Sequence, residues 1–289
     1  MNPQLELMKS QPHSAFPKSN QKAEKSPAYR VGLATAAQKE EVFRLRYNVF
    51  HGQNELNTQT IWGDASQIDK ESHQSLDFDV YDSYSDHMIV TQEDEIVGTY
   101  RMISVDKLAS AGLKPYSANE FHLDHILHDS NCERILELGR SCIHPDHRNG
   151  TVLRLLWAAL SQYLEDYRYD GMFGSVSLFM QDKEAVTNLG QNLFNKGYWC
   201  KDLMDPMRYR HMQQTFHKKN FGEDEKMGTI RSMLPPLMKG YLNLGAKICD
   251  GPFYDDDFKC FDYLMFIRVS EIPDTMRRLL SKVFSGAKI

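Results

Sequence analysis

One acidic and one basic residue stand three positions apart in an otherwise apolar segment, ILELGRSCI at residues 135–143. The composition predicts a strand, in which Glu137 and Arg140 would face opposite sides. A β-bulge at Gly139 would bring both side chains onto one face and leave a backbone N–H without a ladder partner. Such a carboxylate can act as a general base, and such an N–H can bind an oxyanion. The alternative interpretation is an ion pair at a strand end.

The segment that follows, IHPDHRNG at residues 143–150, leads from this strand into a predicted helix. The free amides of a helix N-terminus bind phosphate and pyrophosphate groups. Residues of these types are common before helices, so the turn alone is weak evidence for an anion site. The residues that would contact a donor here are His144, Arg148, Asn149, Gly150 and Thr151.

Histidines at positions 122, 125, 128, 144 and 147 suggest metal ligands. Their spacing lacks a companion carboxylate pattern such as HExxH. We therefore expect no metal site.

The elements that must position these residues alternate between helix and strand. Thr35 with Gln38, and Ser117 with Glu120, form capping-box patterns that predict helix starts, the first for a helix to about Phe50. Strands are predicted at 87–91, 95–105, 135–143, 172–178 and 260–269, and further helices at 150–169, at 182–197, near 235 and from 273. This is a mixed α/β order.

Length and composition narrow the class of protein. The chain has 289 residues, enough for two ordinary domains or one large one, and no apolar run long enough to span a bilayer. The net charge of -5 disfavours a nucleic-acid binder. The five cysteines form no CxxC pair, which indicates reduced thiols.

The N-terminal residues 1–28 are rich in Pro, Ser, Gln and Lys and lack the apolar stretch of a secretion signal. We expect a disordered tail and a cytoplasmic protein. Residues 29–289 are predicted to form a single domain with a C-terminal extension from about residue 205.

Several segments together resemble a known family. IHPDHRNG is similar to the turn with which the GNAT superfamily of N-acyltransferases binds the pyrophosphate of its donor. The fuller resemblance is to the autoinducer-synthase-like branch, whose members take acyl groups from acyl carrier protein. The motifs of that branch have counterparts here, in the same order and with similar spacing, at Arg46 and Phe50, Trp62, the acidic stretch 77–82 with Asp79 and Asp82, Gly98 with Arg101, and Glu137 with Arg140.

Closer still is the resemblance to the ornithine–acyl-carrier-protein N-acyltransferases of aminolipid synthesis. It is carried by LELGRSCIHPDHRNG, MFGSVSL and LPPLMKGYLNLGAKICDGPFYDDDF and covers about residues 40–268. It implies an α/β fold of the GNAT type, with helices flanking a mixed central sheet. It also implies transfer of a long fatty acyl group, plain or 3-hydroxylated, to the α-amine of an amino acid. The expected partner is acyl carrier protein with its phosphopantetheine, and no other cofactor is implied.

Two positions depart from the family pattern. Residues 148–151 read RNGT where acetyl-CoA enzymes have Arg-x-x-Gly-x-Gly/Ala, so the pyrophosphate cradle is degraded. Because carrier-bound phosphopantetheine has no diphosphate, this favours a carrier-protein donor over coenzyme A. Asp77 replaces the first glutamate of the acidic stretch. A basic segment further along the chain could bind the acidic carrier protein, and the alternative is a solvated loop. Its basic residues are Arg208, Arg210, Lys218 and Lys219.

The implied reaction is attack of an amino-acid α-amine on a thioester, which requires removal of a proton from the ammonium. Glu137 is the candidate base. Asp79 and Asp82 are alternatives that could also orient the ammonium, or could form a solvated acidic loop. The oxyanion would be held by backbone N–H groups of Ser141, Cys142 and Ile143. Covalent catalysis by Cys142 is disfavoured, since direct aminolysis needs no thiol nucleophile.

A substrate carboxylate suits a bidentate guanidinium, and the arginines available are Arg46, Arg101 and Arg140. The alternative for the first two is pairing with the acidic stretch. Phe50 and Trp62 would wall the pocket or belong to the core.

The last predicted helix carries Met276, Leu279, Leu280 and Val283 on one face and basic residues beside them. It packs on the core in one interpretation and rests on an anionic membrane surface in the other.

Two other functions stay open from the sequence. One is an acyl-homoserine-lactone-like signal synthase that uses S-adenosylmethionine as amine donor, and the C-terminal segment from LPPLMKGYLNLGA speaks against it. The other is a non-catalytic carrier- or lipid-binding module, which the presence of Glu137 and Arg140 disfavours. The acceptor remains open among ornithine, lysine, glycine and glutamine, and so does the acyl length.

Overall fold

The computed structural model describes residues 28–51, 76–180, 182–218 and 233–286. Within these ranges, seven strands form one sheet in the order β1-β2-β3-β4-β5-β7-β6. Neighbouring strands are antiparallel except β4 and β5, which are parallel. The strands are β1 (Tyr29–Leu33), β2 (Ser85–Gln92), β3 (Glu95–Ser104), β4 (Ile135–Ile143), β5 (Gly171–Leu178), β6 (Lys247–Asp255) and β7 (Cys260–Arg268).

Helices cover both faces of this mixed sheet. The α-helices in the described ranges are α1 (Lys39–Phe50), α2 (Val105–Ser110), α3 (Asp124–Asp129), α4 (Thr151–Asp166), α5 (Lys183–Asn195), α6 (Pro206–Lys218), α7 (Pro236–Asn243) and α8 (Asp274–Gly286). Short 3-10 turns at Val80–Tyr84, Tyr116–Asn119 and Pro145–His147 lie between them.

Side-chain alternation along the strands gives the sheet two faces. On the back face, Leu136, Met172 and Met265 belong to the main core, together with the buried residues of α4. On the front face, Phe173, Leu264 and neighbouring apolar residues form a smaller cluster. Helix α1 packs on the front face of β2, β3 and β4. The front face is therefore covered by α1 on one side of the sheet and by a smaller apolar cluster on the other.

Most predicted elements are confirmed. Thr35 and Gln38 form the capping box that precedes α1, and the predicted hairpin is β2–β3. Gly197 follows α5 with φ +72°, in the left-handed region expected of a residue just past a helix end.

Two strands and two helices lacked a sequence signal, and one of the helices is the short α2, which begins at Val105 where the predicted strand ends. β1 is an edge strand in which only Val31 is buried, so its five residues show no clear alternation. β6 contains Gly251 and Pro252, and its register with β7 shifts on both sides of Asp250. Because glycine and proline are uncommon inside strands, composition alone does not predict a strand here. The basic segment after residue 205 forms α6.

Helix α8 packs against α4. Leu280 is buried, and Met276 and Val283 pack against the main core, whereas Leu279 is 51% exposed. The core interpretation of this face is therefore confirmed for three of the four predicted residues. In the described part of the chain, none of the helices combines the length and the apolar character that crossing a bilayer requires.

Candidate active site

A β-bulge interrupts the pairing of β3 with β4 in the centre of the sheet. Two residues of β4, Arg140 and Ser141, stand opposite the single residue Tyr100, and Arg140 has φ +49°. The predicted bulge exists, but it lies one position beyond Gly139. The Cα partners on either side of the bulge are Thr99 with Cys142 and Arg101 with Gly139.

The bulge has the predicted effect on side-chain direction. Glu137 and Arg140 both reach Tyr116: a carboxylate oxygen of Glu137 accepts a hydrogen bond from its backbone N–H, and the Arg140 guanidinium lies 5.4 Å from its ring centroid. The two side chains thus share the front face, and they do not pair with each other.

Glu137 is 2% exposed and accepts three hydrogen bonds from one 3-10 turn. Oε1 accepts from both the backbone N–H and the hydroxyl of Ser117, each at 2.7 Å, and Oε2 accepts from the Tyr116 N–H at 2.9 Å. Burial raises the pKa of Glu137, while these hydrogen bonds and the charge of Arg101 oppose the shift. The site therefore holds a carboxylate with raised basicity in a fixed orientation.

The second predicted capping box is wrong. Neither Ser117 nor Glu120 caps a helix, and the Ser117 hydroxyl bonds to Glu137 instead. Helix α3 begins only at Asp124. As a cap, the serine oxygen would accept from a backbone N–H; here the hydroxyl instead donates to a buried carboxylate, and such a charge-assisted hydrogen bond is the stronger of the two.

Arg46 lies at the centre of a buried ionic network between α1 and the acidic stretch. Its guanidinium donates to Asp77 at 2.8 Å and to Asp82 at 2.6 and 3.1 Å, and its side chain has no exposed surface. Burial opposes the charge of Arg46, but the two carboxylates outweigh it and hold its pKa above the usual range. The sequence alternative, that Arg46 pairs with the acidic stretch, is confirmed.

Arg101 joins this network from β3. Its Nη1 donates to Asp79 at 2.7 Å, and its guanidinium lies between the rings of Tyr81 and Tyr116, at 5.7 and 5.4 Å from their centroids. Because its side chain is 1% exposed, its contacts with Asp79 and both rings occupy it structurally.

The acidic stretch leads into the 3-10 turn Val80–Tyr84, whose hydrogen bonds fix its carboxylates. Asp79 accepts from the backbone N–H of Tyr81, and Asp82 accepts from the backbone N–H of Asp79. Asp77, Asp79 and Asp82 are each at most 8% exposed, so the alternative of a solvated acidic loop is wrong. Burial raises the pKa of Asp82, but Arg46 and Arg101 outweigh it and lower that pKa, which suits a permanent anion.

Arg140 differs from the other two arginines. Its closest carboxylate contacts among the described residues are longer, 3.4 Å to Asp77 and 3.8 Å to Asp79, and 15% of its side chain is exposed. The Phe50 ring lies 5.9 Å from its guanidinium, so Phe50 walls this part of the site. Of the three arginines, Arg140 has the most exposed side chain and the longest distances to the described carboxylates.

The two central parallel strands part just beyond Glu137. β4 and β5 pair only at Ile135–Glu137 with Gly171–Phe173, although both continue for several residues. A Cβ at Gly174 would overlap the carbonyl oxygen of Leu138, which shows how closely the strands approach before they separate. Beyond this point β4 and β5 continue without a ladder between them.

The turn from β4 into α4 satisfies much of its own hydrogen bonding. Arg148 donates to the carbonyl oxygen of Ile143 at 3.1 Å, and the side chain of Asn149 accepts from the Thr151 N–H at 2.9 Å. The His144 ring nitrogen Nδ1 accepts a hydrogen bond from the Asp146 N–H at 3.3 Å. Gly150, with φ +85°, is the residue before α4. One of the helix amides that a pyrophosphate would use is thus already occupied.

The structure also shows the surroundings of several other predicted residues. Burial raises the pKa of Cys142 to about 12, so its thiol is a poor nucleophile. Arg208 forms an ion pair with Asp250 at 3.0 Å, whereas Arg210 is exposed. Trp62 and Lys219 lie outside the described residues, as does the side chain of Lys218.

Sequence reasoning missed three contributors to this site. Tyr116 gave no signal and Ser117 gave only that of a helix cap, because their role depends on a strand about 20 residues away. His87 is buried beside Asp82, with 3.6 Å between Nε2 and Oδ1, and burial lowers its pKa to about 4. A histidine inside an otherwise β-branched strand is the signal that could have identified it.

The predicted histidines do not form a ligand set in the described chain. The potential metal ligands that converge there are Asp255, Cys260 and Asp262, whose donor atoms lie within 4.8 Å of one another.

Comparison with known proteins agrees with this architecture. Residues 45–158 match the acetyltransferase (GNAT) domain family, and the mixed sheet with its parting central strands is of that type. The fold and site therefore define a GNAT acyltransferase.

The chain is 33% identical over 210 residues to an L-ornithine N(alpha)-acyltransferase of Agrobacterium fabrum, covering 68% of each chain. It is 28% identical over 269 residues to the protein of that name from Rhodobacter capsulatus, covering 90% of this chain and 97% of the relative. The chain belongs to this acyltransferase family.

Solved structures give more distant matches. The N-acyl amino acid synthase FeeM from uncultured soil microbes is 8% identical, with a TM-score of 0.46 and coverage of 91% and 99% of the two chains. The CoA-dependent acyl-homoserine lactone synthase BjaI is 13% identical, with a TM-score of 0.48 and coverage of 91% and 92%.

Proposed function

We propose that the protein transfers a long-chain fatty acyl group, plain or 3-hydroxylated, from acyl carrier protein to the α-amine of ornithine. The observation that carries this proposal is the buried carboxylate of Glu137 beside Arg140, at the point where β4 and β5 part. The names of the curated relatives support ornithine as the acceptor.

The proposed step balances without a cofactor. Glu137 takes a proton from the α-ammonium, and the neutral nitrogen attacks the thioester carbonyl carbon. The C–N bond forms, the carbonyl π electrons move to oxygen, and their return breaks the C–S bond. After the attack the nitrogen carries a positive charge and loses a second proton to the leaving thiolate, which departs as the carrier thiol, while the first proton leaves Glu137 for solvent, so one proton is released for each amide formed.

Two groups would position the reactants. Arg140 would bind the α-carboxylate, because 15% of its side chain is exposed and its distances to the described carboxylates are the longest of the three arginines. The backbone N–H of His144 donates to Val97 on β3. Strand alternation then points the Ile143 N–H toward the gap beside β5, where it would stabilise the oxyanion.

A carrier-bound donor is favoured by the turn before α4, where the Asn149 side chain already occupies the Thr151 N–H. The exposed Arg210 on α6 would meet the acidic carrier protein. Turnover with acyl carrier protein should fall as salt rises, and Arg210→Glu should raise KM for the carrier substrate without changing the rate with an acyl-pantetheine mimic. Arg278→Glu is the matched control on α8, and equal or better rates with acyl-CoA would contradict the carrier assignment.

Replacing Glu137 tests the proposal as a whole. Glu137→Gln should lower amide formation by about a hundredfold or more while the protein remains folded, because loss of a general base has that cost. Mass spectrometry of lipids from a host expressing each variant, and turnover of purified protein with acyl carrier protein and ornithine, measure it. Glu165→Gln on the exposed side of α4 is the control. Near wild-type turnover of Glu137→Gln would contradict the base assignment.

The product would be an amphiphile that partitions into membranes, so contact with the bilayer surface remains part of the proposal. Leu279, exposed on α8, is the apolar residue of that helix available for it. Flotation with anionic liposomes should weaken when the chain ends at Ile272, and equal flotation of both chains would exclude this helix.

A further inference from the structure

Two of the cysteines lie side by side where the chain after α5 meets strand β6. The Ile248 N–H donates to the carbonyl oxygen of Tyr198, and the Cys200 N–H donates to the carbonyl oxygen of Ile248, both at 2.8 Å. These hydrogen bonds form a short parallel bridge in which Trp199 stands opposite Ile248. Cys200 and Cys249, the next residue on each segment, are therefore neighbours across the bridge.

Both thiols are on the front face of the sheet. Trp199 and Ile248 belong to the main core on the back face, whereas Cys249 belongs to the front-face cluster and Cys200 packs against it. Neighbouring strands are about 4.8 Å apart. That spacing lies within the range of about 4.4 to 6.8 Å between the Cα atoms of disulfide-bonded cysteines. The backbone therefore holds the two residues at a separation that a disulfide can bridge.

The two thiols differ in exposure and in acidity. Cys200 is partly exposed, whereas Cys249 is 2% exposed. The Cys249 thiol, together with the backbone N–H groups of Asp202 and Leu203, lowers the pKa of Cys200 to about 6, although burial opposes this shift. Burial raises the pKa of Cys249 well above its usual range. At neutral pH, Cys200 is therefore a partly exposed thiolate beside the protonated thiol of Cys249.

Cys132 provides a comparison within the same chain. It is partly exposed, as Cys200 is, and it packs against the same front-face cluster. Its thiol donates to the carbonyl oxygen of Ser130 at 3.7 Å, and burial raises its pKa. Cys132 is therefore expected to behave as an ordinary, unreactive thiol.

We infer that Cys200 and Cys249 form a reversible redox pair, in which a small-molecule disulfide modifies Cys200 and Cys249 completes an intramolecular disulfide. The Cys200 thiolate attacks one sulfur of the small disulfide, whose S–S bond breaks and whose other half leaves as a thiolate. The proton of Cys249 passes to this thiolate, and the Cys249 sulfur then attacks Sγ of Cys200 and releases the second half. Two protein thiols are thus oxidised to one disulfide, and the small disulfide is reduced to two thiols. The inference does not depend on the proposed acyl transfer.

Mass spectrometry of the folded full chain treated with glutathione disulfide at neutral pH tests this inference. The wild-type chain should lose two hydrogen atoms and yield joined peptides that contain Cys200 and Cys249, and dithiothreitol should restore both thiols. Cys249→Ala should stop at the mixed disulfide and keep one glutathione on Cys200. Cys200→Ser should leave Cys249 reduced, because a buried, protonated thiol is a poor nucleophile. Cys132→Ser is the matched control and should be oxidised as the wild type is.

Labelling of the reduced wild-type chain needs no variant. With iodoacetamide at pH 7, Cys200 should react roughly fourfold or more faster than Cys132, because its larger thiolate fraction outweighs the lower nucleophilicity of a thiol of low pKa. Labelling of Cys200 no faster than that of Cys132 would overturn its assignment as the modified residue. A wild-type chain that stays at the mixed disulfide, or that joins Cys200 to Cys249 only in urea, would overturn the pairing.

Discussion

Removing the hydroxyl of Ser117 should shift the pH dependence of acyl transfer. Its oxygen lies 2.7 Å from Oε1 of Glu137, and it stabilises the ionised carboxylate. A hydrogen bond to a charged acceptor is about twice as strong as one to a neutral acceptor, so its loss costs the ionised form about 1 to 1.5 kcal/mol more than the protonated form. Because one pKa unit corresponds to about 1.4 kcal/mol, Ser117→Ala should raise the pKa of Glu137 by about one unit.

The direction of the shift in the pH profile follows from the role of Glu137 as a base. A general base acts only when ionised, so the acid limb of the kcat/KM profile follows its pKa in the free enzyme. The limb should move about one unit toward higher pH, while the plateau above it stays near the wild-type rate. The backbone N–H donors of Tyr116 and Ser117 remain in the variant, which should keep the carboxylate oriented.

The measurement is kcat/KM with saturating carrier donor across pH 5 to 9, together with the melting temperature at each pH. Ser110→Ala, which removes an exposed hydroxyl bonded to a carbonyl oxygen of α2, is the matched control. An acid limb that stays in place in a folded Ser117→Ala protein would refute Glu137 as the titrating base.

Three further predictions concern stability. Because burial lowers the pKa of His87, the unfolded chain binds a proton between pH 6.5 and about 4 that the folded chain excludes. The free energy of unfolding should therefore fall by about 3 kcal/mol over this pH range. In His87→Phe, the free energy of unfolding measured with urea should depend much less on pH over the same range. Glu120 should change stability in the opposite direction, because burial raises its pKa: its ionisation destabilises the fold as pH rises from 4.5 to about 7. Glu120→Gln should therefore stabilise the protein by about 1 kcal/mol at pH 8, a value reduced to allow for the partial exposure of the side chain, and should have no effect at pH 4. Equal gains at both pH values would be inconsistent with this explanation. Gly174→Ala should cost about 1 to 3 kcal/mol, because its Cβ meets the Leu138 carbonyl, whereas Gly32→Ala, with no atom within 4 Å, should be nearly neutral by thermal melting.

The sequence predicted those parts of the fold that depend on local pattern. The hairpin of β2 and β3 and strand β4 follow from β-branched composition, and the capping box before α1 follows from two residues three apart. β6 could not be predicted, because its pairing with β7 is maintained around Gly251 by contacts distant in sequence.

The site was predictable where its residues share one strand, and less so where the chain must fold back. Glu137 and Arg140 were identified together with the bulge that turns them to one face. Ser117 was assigned to a helix cap, since nothing local distinguishes a serine that caps from one that binds a distant carboxylate.

The bulge in β4 also constrains how this gene segment can change in length. The extra residue is what allows Arg140 to share the front face with Glu137 and Cys142, since a regular ladder would turn Arg140 to the back face. Deleting Ser141 would restore a regular ladder with Thr99 still opposite Cys142, and Arg140, then directly opposite Tyr100, would turn to the back face. Insertions and deletions should therefore be absent between Glu137 and the start of α4 in working relatives, whereas the turn between β6 and β7 can vary. A homologue that is one residue shorter in this interval would be expected to keep the sheet and lose acyl transfer.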